Sequence, residues 1–256
     1  MTPSILYHAV CQPGTGNLYS VTPAQLETHL KHLAVRGYHS LTVEDFMAAG
    51  PDRPAAAELI ITFDDGSSTN YKHAAPLLER YGMTATFFVI AGRIGRSGKM
   101  DQSQVAELRR RGFSIQSHGL NHVDLVRAGD RTVDEELRVS KSMIEDITGH
   151  QVEHFSAPFG AVDQRLVQAA RAAGYRALWT SAFGVNDERT DRFDLKRIII
   201  TRNTTTERLA GCLSPGRALR FRAGLRKRLG RALALVLGRR RYERLMEAMY
   251  GTYREG

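Results

Sequence analysis

Two aspartates stand side by side in IITFDDGSSTN (Ile60–Asn70), and two histidines stand four apart in SHGLNH (Ser117–His122). Adjacent carboxylates repel each other, so a pair of them after an apolar run needs a use. Successive strand side chains point in different directions. Asp64 and Asp65 are therefore poorly arranged to share one ion and well arranged to divide two tasks. One can ligate a cation while the other faces a water as base. A cation also offsets the carboxylate repulsion and lowers the pKa of its water. His118 and His122 can meet on one ion from a helical turn or a tight loop. Two histidines and one carboxylate leave coordination positions open for water and substrate. The same residues also fit plainer roles. The aspartates can cap the next helix, with Gly66 making the turn, and the histidines can be surface or cap residues.

The elements that must position these groups alternate. Apolar runs (SILYHAV, ELIITFDD, TATFFVI, FSIQSHG, EHFSAPFG, RALWTS, LKRIII) are separated by helical patterns near Pro23–Arg36, Asn70–Tyr81, SQVAELRRRG, Thr132–Thr148 and Asp163–Ala173. Thr132 with Glu135 reads as a capping box, and Gly149 as a helix stop. Strand then helix, repeated, predicts βα units and a mostly parallel sheet. Pattern alone leaves an open doubly wound sheet and a closed barrel both standing. His8, Asp64, Asp65, His118, Pro158–Gly160 and Trp179 all fall toward the carboxyl ends of predicted strands, where such folds build their sites.

Residues 216–256 hold 12 Lys/Arg against 3 Asp/Glu, which accounts for the whole net charge of +9 and leaves 1–215 neutral. This divides the chain into a body, 1–215, and a basic tail. In the tail Leu225, Leu229, Leu233 and Leu237 recur between arginines, the pattern of an amphipathic basic helix. That helix can pack its leucines on the body or meet an anionic membrane surface. No nucleic-acid motif accompanies it, so no nucleic-acid partner is expected. Cys11 and Cys212 cannot form a disulfide framework or a cysteine zinc cluster. No leader pattern or spanning helix is read, so a cytoplasmic enzyme, peripheral at the inner face of the membrane, is expected.

TFDDG at 62–66, SHGLNH at 117–122 and FSAPFG at 155–160, in that order, resemble the motifs of the polysaccharide deacetylase family, carbohydrate esterase family 4. ILYHAV and GYRALWTSAFGVN resemble its exopolysaccharide-type members. The resemblance spans about residues 4–200. It implies a distorted (β/α) barrel of about seven parallel strands and metal-dependent removal of N-acetyl groups from amino sugars. By position it makes Asp64 the general base and Asp65, His118 and His122 the metal ligands. Zinc is the default ion, with cobalt, nickel or iron also fitting.

Two departures stand out. The family's third motif normally opens with an arginine that orients the base, and here Ser156 stands in its place. The late Leu-x-His is also absent, since His154 is the last histidine in the chain. In the related exopolysaccharide deacetylases a histidine of an N-terminal Tyr-His pair supplies the acid, which implies His8 here. Barrel closure would place the first strand beside the last. Pro158, Phe159, Gly160 and Trp179 are expected on the substrate side, with Phe183 as further lining and backbone N–H groups near Phe159 holding an oxyanion. Tyr7 and the remaining histidines are read as structural or surface residues. Two rivals stay open: a non-catalytic carbohydrate-binding scaffold, which the absent arginine favours, and an amide hydrolase of a non-sugar substrate.

Overall fold

The computed structural model describes residues 1–48 and 57–213. In chain order its elements are β1 (Thr2–Tyr7), α1 (Pro23–Val35), β2 (His39–Leu41), α2 (Val43–Ala48), β3 (Glu58–Phe63), α3 (Ala75–Arg80), β4 (Thr86–Val89), α4 (Gln102–Arg110), β5 (Ser114–Ser117), α5 (Asp130–Thr148), β6 (His154–Ser156), α6 (Gln164–Ala172), β7 (Ala177–Trp179), β8 (Val185–Asn186), β9 (Ile198–Ile199) and α7 (Thr206–Leu213). A π-helical turn, Asn70–Ala74, leads into α3. The basic segment 216–256 lies outside the described residues.

Local chemistry explains most helix boundaries. Thr22 accepts from the Gln25 N–H with Pro23 in the first turn, Asp101 and Gln104 form a reciprocal capping box, and Asp163 accepts from the Leu166 N–H. Gly149 ends α5 in the left-handed region, as the sequence predicts. The capping box read at Thr132 does not form: α5 starts a turn earlier, at Asp130 after Gly129, without a side-chain cap.

The sheet runs β7-β6-β5-β4-β3-β1-β8, with β2 also on β3 and β9 also on β1. All pairings are parallel except β1 with β8. It curls into a half-barrel rather than an open sheet. Leu195 bridges to Trp179, and three residues on Ile198 pairs with Ile5, so the segment 195–199 spans from one edge strand to the first. The curl divides the apolar residues. Ile5, Tyr7, Ile61, Phe63, Phe87, Ile115 and Phe155 pack outward against the helices. Val43, Ile60, Phe88, Ala177, Trp179 and Leu195 fill the inside. Alternation along β1, β3, β5 and β6 sends His8, Asp64, His118 and Ser156 inward at the carboxyl ends.

Candidate metal centre

Asp64 follows β3 and points inward, 2% exposed. Arg197, fully buried, donates from Nη1 to Asp64 Oδ1 at 2.8 Å and from Nη2 to Oδ2 at 2.9 Å. The Ser156 hydroxyl donates to Asp64 Oδ2 at 2.9 Å and accepts from Arg197 Nη2 at 2.8 Å. Burial pushes the Asp64 carboxyl up, but the Arg197 guanidinium and His118 outweigh it and hold the group below its ordinary value. A buried arginine from the segment that closes the barrel thus lies against Asp64 and Ser156, the position where the third motif lacks one. Nothing in the sequence around Arg197 marked it.

Asp65 turns away from strand geometry. Its φ of +73° lies in the left-handed region, rare for a residue with a side chain. Plain alternation would send its carboxylate to the helix side. The kink instead brings Oδ1 within 3.4 Å of His118 Nε2 and 3.5 Å of His122 Nε2. Neither aspartate caps a helix, since the π-helical turn begins at Asn70.

His118 directly follows β5. Its Nδ1 lies 2.8 Å from the Ser156 carbonyl, which can only accept, so Nδ1 carries a proton and Nε2 is the ring nitrogen turned toward the cluster. His122 arrives through a tight loop rather than a helical turn, with Gly119 at φ +81° and His122 itself at +64°. Burial, then the neighbouring His118, pushes His122 down to about 4. The donor atoms of Asp65, His118 and His122 all lie within 4.8 Å of one another. Two ligands about 2.05 Å from a tetrahedral zinc stand ~3.4 Å apart, which the two carboxylate–imidazole separations match. The donor set, with one histidine's tautomer fixed by a backbone carbonyl, fits a divalent ion.

The loop between the histidines rests on a residue that sequence reasoning missed. Glu136 of α5, 1% exposed, accepts from the Leu120 N–H at 2.7 Å, from the Asn121 N–H at 3.0 Å and from Asn121 Nδ2 at 2.9 Å. A polar residue on the buried face of an otherwise amphipathic helix was the available signal.

His8 follows β1 beside β9, and the charges acting on it are Asp65, Asp64, His118 and Arg197, which puts it at the same centre. Its ring packs 5.2 Å from Tyr19, and burial pulls its pKa down. Tyr7 points outward and bonds to His29 Nδ1 at 3.0 Å, a core pair as expected. Phe159, at φ +59° and 60% exposed, sets its ring 4.8 Å from that of His122. Pro158, the residue before it, is buried. Gly160 is at φ +66°, and a Cβ there would meet Ser181 at 2.4 Å. Trp179 requires a correction. It is fully buried among Phe88, Phe46 and Leu195, and its Nε1 donates to His154 Nδ1 at 3.4 Å. It fills the inside of the curl and does not face a substrate. Phe183 is exposed.

A curled, mostly parallel half-barrel with its polar cluster at the strand ends is the architecture of the deacetylase (β/α) barrels. The Streptococcus pyogenes deacetylase PplD, solved in complex with acetate, superimposes with a TM-score of 0.77 at 27% identity, over 84% of this chain and 98% of that one. The sequence model for "Polysaccharide deacetylase" matches residues 52–178. The Bacillus subtilis protein YxkH, assigned to the same group, is 30% identical over 201 residues, 78% of this chain and 71% of YxkH. The chain belongs to the polysaccharide deacetylase family, and its enzyme class is carbohydrate deacetylase. A Staphylococcus aureus poly-beta-1,6-N-acetyl-D-glucosamine N-deacetylase is 23% identical over 173 residues, 62% of this chain and 60% of that enzyme. Among the described residues no helix is long and apolar enough to cross a membrane.

Proposed function

We propose that this chain removes N-acetyl groups from amino sugars of a poly- or oligosaccharide, or of a lipid-linked glycan precursor, using a divalent cation held by Asp65, His118 and His122. The convergence of these three donors beside Asp64 carries the reading. When bound, the cation would polarise the acyl oxygen and acidify water at neutral pH. Asp64 takes the proton from the attacking water, and Arg197 keeps its carboxylate ionised and oriented for that step. His8 protonates the departing amine, with the Asp65 and Asp64 charges opposing the burial that pulls its pKa down. The Phe159 N–H stabilises the oxyanion, and Pro158, Phe159 and Gly160 border the sugar. Zinc is the default ion for this donor set, and cobalt, nickel or iron would also serve. The named activity of the staphylococcal relative supports an N-acetylglucosamine polymer as substrate. The scaffold alternative loses its main support, because Arg197 fills the role of the absent motif arginine.

Acetate release from N-acetylglucosamine oligomers tests the reading. Activity should vanish with a chelator, return with zinc, and be lost in Asp65→Ala. A zinc-replete protein that releases no acetate from any N-acetylated glycan would overturn it. The basic segment 216–256 extends the proposal to an anionic membrane surface, each Lys or Arg near it contributing about 1 kcal/mol. Full-length chain should co-sediment with anionic vesicles and less so in high salt, whereas a chain ending at 215 should not.

A further inference from the structure

Resting on the reading of Asp65, His118 and His122 as a metal centre, we infer that Glu136 is a positioning residue that sets how tightly the 118–122 loop holds a divalent cation. The loop enters the left-handed region twice, at Gly119 (φ +81°), where no side chain opposes it, and at His122 (φ +64°), where one does. A side chain in the left-handed region costs about 1–2 kcal/mol, and such backbone persists only where its surroundings over-determine it. Glu136 supplies that restraint from another element. Its Oε2 accepts the Leu120 and Asn121 N–H groups at 2.7 and 3.0 Å, and its Oε1 takes the Asn121 side-chain amide at 2.9 Å. Both oxygens act only as acceptors, so no polar atom of the carboxyl is left over for another partner. The approach is close as well: a Cβ on Gly119 would stand 2.8 Å from Oε2. The carboxylate thus fixes the backbone immediately before His122 and with it the direction in which the imidazole faces Asp65. A glutamine here would turn an NH₂ toward backbone N–H donors and release part of the loop.

Zinc affinity of the full chain, measured by competition with a chromophoric chelator, decides the matter. Glu136→Gln should weaken zinc binding by about 10- to 100-fold, the range for lost outer-shell partners, while far-UV circular dichroism stays native. Ile144→Val is the control. Ile144 is buried on the same helix, two turns beyond Glu136, and its apolar side chain makes no hydrogen bond to the loop, so zinc affinity should stay at the wild-type value. Should Glu136→Gln fail to fold, Asn121→Ala removes one bond to the carboxylate from an exposed position, and a several-fold loss of affinity is expected. Wild-type affinity in the folded loop variants, or an equal loss in Ile144→Val, overturns the inference. A wild-type chain that binds no zinc overturns the metal-centre reading beneath it instead.

Discussion

Arg197 grips Asp64 with both ends of its guanidinium, Nη1 to Oδ1 at 2.8 Å and Nη2 to Oδ2 at 2.9 Å, with the arginine side chain fully buried and the aspartate nearly so. A bidentate fork fixes the carboxylate plane as well as its charge, and the Ser156 hydroxyl bonds to both partners. The pair converts the closing segment of the barrel into a support for the proposed base.

Arg197→Ala should cost about 3–5 kcal/mol of stability, because it strands a buried carboxylate. Arg197→Lys keeps a charge but loses the fork. The guanidinium holds the Asp64 pKa down, so its loss raises that pKa. The acid limb of the kcat/KM profile should then move to higher pH in Arg197→Lys. Coincident limbs for wild type and variant would remove Arg197 from any tuning role.

His8→Ala should lower turnover by about 10²–10⁴-fold, the range for a lost general acid, with zinc content unchanged, because the three donors lie elsewhere. Wild-type turnover in this variant would refute the assignment. His154 is no substitute, since it is buried under the site against Trp179.

Zinc should raise thermal stability in proportion to its binding, by about 2.7 kcal/mol at a hundred times its Kd. Asp65→Asn should abolish the shift. An equal shift in that variant would mean that the ion sits elsewhere.

Phe159→Ala should raise KM with little change in kcat, by about 1 kcal/mol or roughly fivefold for one aromatic contact. The ring is 60% exposed, so the unfolding midpoint should hardly move. Unchanged KM across a series of oligomer lengths would exclude Phe159 from the sugar-binding surface.

Acid should destabilise the fold in part through His154. Burial lowers its pKa from 6.5 to about 3, so the native state excludes a proton that the unfolded chain accepts. The contribution is complete above pH 6.5 and is lost as pH falls toward 3. This one side chain adds a slope of at most about 1.4 kcal/mol per pH unit. His154→Gln keeps an acceptor for Trp179 Nε1 and should flatten urea-unfolding stability between pH 7 and 5. Parallel curves would assign the acid sensitivity to other groups.

Much of the molecule was legible in the chain, because the relevant signals are local. Helical spacing located α1, α4 and α6 within a residue or two. Continuous apolar runs ending in polar residues located β1, β3, β5 and β6, and with them Asp64, Asp65, His118 and His122. These signals travel along the backbone, where each residue's neighbours in sequence are its neighbours in space.

The remainder depended on the curl of the sheet. Arg197 meets Asp64 across 133 residues, and nothing in LKRIII distinguishes that arginine from a solvated one. Trp179 reads as an aromatic near a strand end, and only closure against Leu195 puts it inside. Asp65 escapes the alternation rule through a single left-handed residue. Glu136 reads as one more charge on a helix until the 118–122 loop folds onto it. Residue type and spacing fix which groups reach the strand ends. Burial, side-chain direction and charge pairing belong to contacts between distant segments, and these exist only once the sheet has closed.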